Sequence, residues 1–100
     1  MKDKDIAIKR IEAIIDKGTK QDFVDLYEII KRGNNLEGLL RFYNKKYHLQ
    51  EENKLNIIKR LQYFDDAEED DMPKMIKQIT WEEVKDFFAK ETIRLAKKYI

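Results

Sequence analysis

The stretch "GTKQDFVDLY", residues 18–27, decides how this chain is read. Gly18 ends one run of apolar residues at helical spacing. Thr19 or Lys20 opens the next, in which Phe23, Leu26, Tyr27 and Ile30 recur at i, i+3, i+4 and i+7. On a helical wheel these four share one arc, with Asp22 at its edge and Asp25 and Glu28 on the far side. Val24 and Ile29 widen the apolar surface, so this helix is expected to be covered on more than one side. Gly18 stands where a left-handed C-cap for the preceding helix would be.

Working outward, the first helix is expected to start with Asp5 as N-cap and to run to Lys17 on a stripe of Ala7, Ile11, Ile14 and Ile15. The second covers Lys20 to Arg32 and is closed by Gly33. Asn35 caps a third, with Leu36, Leu39, Leu40, Tyr43 and Tyr47 on one face, and a fourth covers Glu52 to Phe64 with Leu55, Ile58 and Leu61. "FDDAEEDDMP", residues 64–73, breaks the periodicity, and Pro73 bars regular helix there. "KMIKQI", residues 74–79, reads as extended. "TWEE", residues 80–83, has the form of a capping box and opens a helix to Tyr99 that buries Val84, Phe87, Phe88, Leu95 and Tyr99. Trp81, beside that cap, is expected to seal the last helix onto the bundle. No strand pair and no Asn-Gly or Asp-Gly turn is present. The expected fold is all-α: a compact bundle of about five helices, with an irregular acidic loop before a long C-terminal helix and room for a sixth short turn in that loop.

Composition narrows the function. One hundred residues make one domain with a single core, residues 1–100. With no cysteine, thiolate metal sites and cysteine nucleophiles are excluded. Charged residues are 41% of the chain, but the net charge is only +1, well short of a basic nucleic-acid footprint. No apolar run reaches the roughly 20 residues of a membrane span, and "MKDKDIAIKR" is not a signal peptide. The chain reads as soluble and cytoplasmic.

Lys20, Asp22 and Asp25 admit two readings. Acidic residues in a first turn complement the helix dipole and need no further role. Phosphoryl-transfer sites, however, also combine a cation for phosphate with carboxylates that hold magnesium or orient a nucleophile. The six carboxylates of residues 65–71 lack the alternation, central glycine and closing glutamate of an EF-hand, so they read as a solvated, self-repelling loop. Arg41 and His48 have the R-x(4–6)-H spacing of small helical ribonucleases of the HEPN type, in which the histidine would act as acid–base and the arginine would stabilise charge on phosphate. The arginine of that motif is commonly followed by a polar residue, and here Phe42 follows it. Tyr43, Tyr47, Tyr63 and Phe64 follow or flank helical spacing, which is the pattern of core packing.

A resemblance weighs between these readings. "DIAIKRIEAIIDKGTKQDFVDLYEII", residues 5–30, resembles the later half of nucleotidyltransferases of the abortive-infection AbiEii/AbiGii toxin family, which carry a "DLAAMKxxAI" helix, a glycine turn and "KKDFxDLY". "LQYFDDAEEDDMPKM" (61–75) and "TWEEVKDFF" (80–88) are similar to tails in the same group. The resemblance implies that Lys9 matches the lysine of the family's first helix and that Lys20, Asp22 and Asp25 match its second segment, where they help to hold nucleotide and complete the active site. Either Lys9 or Lys20 would face phosphate. The family's metal-binding carboxylates follow a Gly-Ser or Gly-Thr turn in an amino-terminal half, and no such segment is found here. The resemblance therefore implies the helical C-terminal portion of such an enzyme, inactive alone, with Mg2+ and NTP expected only for the complete protein. Its partners would be the missing catalytic half or an antitoxin-like protein, with self-association through the orphaned face as a further outcome. The alternatives are the HEPN-like ribonuclease and a non-enzymatic interaction module.

Overall fold

The computed structural model describes residues 2–47, 51–70 and 79–99. Its helices are α1 (Lys2–Lys17), α2 (Lys20–Lys31), α3 (Leu36–Tyr47), α4 (Glu51–Leu61), the single turn α5 (Asp65–Glu68) and α6 (Trp81–Tyr99). No strand occurs among the described residues. The all-α bundle is as the periodicity indicates, and α5 takes the room left for a short turn in the acidic segment. Residues 74–78, read as extended, and His48 lie outside the described residues.

Helix boundaries follow local chemistry. Thr19 is the N-cap of α2 in extended conformation, and its hydroxyl accepts from the Asp22 amide. The Asp22 carboxylate reaches back to the Thr19 N–H at 3.2 Å, closing a reciprocal box with aspartate in the place usual for glutamate. At the other end Gly33 takes φ 108°, a left-handed conformation that only glycine adopts cheaply, so the chain turns there into α3. Asn35 accepts the Gly38 amide at 2.8 Å and caps α3 as expected. Thr80 caps α6 by accepting the Glu83 N–H at 3.1 Å.

Two expectations need correction. Helix α1 begins at Lys2, so Asp5 lies inside it rather than at its cap. Gly18 is not a left-handed cap, because Gly33 alone among the glycines has positive φ. The last-turn carbonyls of α1 are met from α4 instead: Arg60 Nε donates to Ile15 O at 3.1 Å, and its Nη2 approaches Ile14 O and Asp16 O at 3.5 Å. Gly18 is small for a packing reason. A Cβ there would stand 2.9 Å from Phe23 Cε2.

Helix α2 is the centre of the bundle. Phe23, Val24, Leu26, Tyr27 and Ile29 are all buried, as the wide apolar arc suggests, whereas Ile30 is only partly so. Helix α1 contributes Ala7, Ile8, Ile11 and Ile14, α4 contributes Ile57, Ile58 and Leu61, and α6 contributes Val84, Phe88 and Leu95. The Phe23 ring meets Phe64, Phe88 and Trp81 edge-on at centroid distances of 5.2, 5.6 and 5.9 Å. Each such pair adds about 0.5–1.5 kcal/mol beyond the area it buries. Trp81, partly buried against Phe23 and Phe64, does seal α6 onto the bundle. Thr92 is fully buried within the apolar face of α6, its hydroxyl turned back to Phe88 O at 2.7 Å. Glu37 ties α3 to α6 through Lys98 at 2.5 Å, and that ammonium holds the Glu37 carboxyl below the usual carboxylate range.

Candidate functional site

The turn at 18–19 makes α1 and α2 an antiparallel hairpin, with Ile6 level with Ile29 and Arg10 level with Asp22 and Asp25. Arg10 joins the two aspartates: Nη1 lies 3.2 Å from Asp22 Oδ1 and Nη2 lies 3.1 Å from Asp25 Oδ2. Asp22 also receives the Thr19 hydroxyl at 2.9 Å, and Asp25 receives Gln21 Nε2 at 2.9 Å. Both carboxylates are therefore occupied by donors of this chain. Asp22 sits buried against α1, while Asp25 is more exposed beside a depression of about 190 Å³ lined by Ile6, Asp25, Glu28, Ile29 and Arg32.

The two candidate lysines are not brought together. Lys9 is exposed on α1 and shares no ion pair with Asp22 or Asp25. Lys20 is buried at the first turn of α2, on the side of α6. Its ammonium lies 5.0 Å over the Trp81 ring, and its backbone N–H donates to Asp70 Oδ2 at 3.0 Å.

At that corner two residues of the acidic segment, Asp70 and Glu68, find partners in α2 and α6, while Asp65 and Glu69 stay exposed as expected for a solvated loop. Ala67 is fully buried. Glu68 accepts from Trp81 Nε1 through one oxygen and from Lys85 Nζ at 3.2 Å through the other. The indole N–H, and then the Lys85 ammonium, hold the Glu68 carboxyl below its ordinary range, and Glu68 in turn pushes Lys85 up. Among the described residues no group of three or more His, Asp or Glu is placed to hold a metal ion.

Further along, Tyr27 Oη donates to Glu83 at 2.6 Å, beneath a depression of about 330 Å³ between α2 and α6 flanked by Lys31, Phe87 and Lys90. Burial, reinforced by Glu83, pushes the Tyr27 phenol up to about 12. Arg41 pairs with Glu37 at 3.0 Å, one turn away on α3. The Tyr43 and Tyr47 rings pack with centroids 4.8 Å apart and planes tilted by 48°, and Tyr47 donates to Glu12 at 2.8 Å.

Sequence reasoning picked out Lys20, Asp22 and Asp25 but missed Arg10, which organises the aspartates, and Glu68 and Lys85, which surround Trp81. Arg10 could have been found by reflecting positions across the 18–19 turn. Glu68 and Lys85 carry no local signal, since what joins them to Trp81 is tertiary packing.

No protein-family model matches the chain. Over 90 residues it is 38% identical to "Uncharacterized protein aq_aa25" of Aquifex aeolicus (strain VF5), a match covering 89% of this chain and 42% of that protein. The chain thus spans less than half the length of this relative. No solved structure matches. No helix among the described residues is long and apolar enough to cross a membrane.

Proposed function

We propose that this chain is the helical C-terminal portion of an abortive-infection-type nucleotidyltransferase, working only when joined to a metal-binding half. The observation that carries the reading is the pattern of Lys9, the Gly18 turn and "KQDFVDLY", folded as a hairpin with Asp22 and Asp25 linked along one edge. It is supported by a relative of more than twice the matched length, whose remainder leaves room for such a half. The metal does not fit this chain alone. Asp22 and Asp25 are held by Arg10, Asp70 by the Lys20 amide and Glu68 by Trp81 and Lys85. Divalent-metal chemistry would have to come from carboxylates outside this segment. Here the chain's own contribution is to present the hairpin edge. Of the two lysines, Lys9 is the exposed one, on the same helix as Arg10, and is the one this reading assigns to the transferred nucleotide.

The test begins with the DNA upstream of the Met1 codon. An open frame encoding Gly-Ser followed by Asp-x-Asp leads to the complete protein, which should transfer labelled nucleotide with Mg2+ and lose most of that activity in Lys9→Ala. A stop codon with unrelated sequence, or a complete protein that transfers no label from any of the four NTPs, rules the reading out. For the ribonuclease alternative, Arg41 pairs with Glu37 on the surface of α3, and His48 lies outside the described residues.

A further inference from the structure

We propose that Lys20, Trp81 and Lys85 form a binding site for a phosphate group, which the Glu68 carboxylate fills from within the chain. The proposal stands apart from the transferase reading and concerns the opposite side of α2. Three donors converge on the Trp81 indole. Its own Nε1–H and the Lys85 ammonium each hold one oxygen of Glu68. The third donor, the Lys20 ammonium, lies 5.0 Å over the same ring, and Lys85 Nζ lies 5.9 Å from it.

Lys20 is the informative member. It is only 8% exposed, and its ammonium stands over the indole face, close enough to help lower the Glu68 carboxyl but, among the described residues, at ion-pair distance from no carboxylate. A carboxylate has two oxygens, and Glu68 uses both on the other donors. A group with three terminal oxygens satisfies the indole N–H and both ammonium groups at once, which is the geometry of a phosphate. The acidic neighbours set an upper limit on its charge: Asp70 sits on the Lys20 backbone N–H, and Glu82 stands 3.5 Å from Lys85 Nζ. The site therefore suits a single phosphate better than a triphosphate. Glu68 itself is 45% exposed, so an incoming anion can reach and replace it.

Trp81 is the only tryptophan, so its emission reports the site directly. Inorganic phosphate and AMP are titrated in parallel into the wild-type chain and into Glu68→Ala. The expected result is a saturable emission change with Kd at least about tenfold lower in Glu68→Ala, a gain lost in Glu68→Ala/Lys20→Met. Tighter binding of AMP than of phosphate marks a nucleotide as the source, and equal binding marks the free anion. Far-UV circular dichroism verifies that each variant is folded. Should the Lys20 variant not fold, Glu68→Ala/Lys85→Met replaces it and must also lose the gain. Equal affinity of wild type and Glu68→Ala, or a gain that survives removal of the lysine, overturns the proposal.

Discussion

Tyr27 on α2 and Glu83 in the first turn of α6 are joined by a hydrogen bond of 2.6 Å, with the phenol buried and the carboxylate at the surface. The phenol titrates near 12 in the folded chain and near 10.0 when unfolded. Because the folded value is the higher one, its contribution to stability is complete below the unfolded value and is lost as pH rises from one to the other. Urea unfolding, followed by Trp81 emission, should show stability falling across that alkaline window. Tyr27→Phe should start about 1 kcal/mol lower at neutral pH and lose less with rising pH. A wild-type profile no steeper than that of Tyr27→Phe would contradict the assignment.

Among the described residues, Arg10 is the one cation that joins Asp22 to Asp25. Arg10→Met should cost about 1–2 kcal/mol, more than a typical surface pair, because Asp22 is left buried with one partner fewer. Arg10→Lys should recover less than half of that loss, since one ammonium lacks the planar fork that spans two carboxylates. Full recovery by lysine in equilibrium unfolding would show that charge alone suffices.

Gly18 and Gly33 should both resist alanine, for opposite reasons. At Gly18 the added methyl strikes the Phe23 ring, and overpacking of this kind costs about 1–3 kcal/mol. At Gly33 there is open space but φ is positive, a backbone penalty of about 1–2 kcal/mol. Trimming the ring with Phe23→Leu should lessen the relative cost of Gly18→Ala and leave that of Gly33→Ala unchanged. A double-mutant cycle reads this directly, and equal coupling at both glycines would refute the distinction.

The helices and their caps were legible because they depend on neighbours within a few residues. Thr19, Asn35 and Thr80 each serve an amide close by in sequence, and the apolar arc of α2 is a local period. What sequence reasoning missed depends on packing. Gly18 has the look of a helix terminator, but the residue that ends α1 is Arg60, 45 positions from the carbonyl it serves most closely. The acidic segment looks solvated because its partners are far off: Asp70 serves an amide 50 residues earlier, and Glu68 serves Trp81, 13 residues later. Asp22 and Asp25 stand close together in the sequence, yet the guanidinium that joins them belongs to the preceding helix.

The position of Phe23 has a consequence for synthesis. Its nearest local neighbour is Gly18, but the rings that enclose it arrive with Phe64, Trp81 and Phe88. Until those residues have been made, the Phe23 ring lacks the three aromatic neighbours that enclose it. Any release or cleavage before Phe88 yields a fragment with that ring uncovered, a ready target for chaperones and proteases. Completion of α6 is the event that closes the fold.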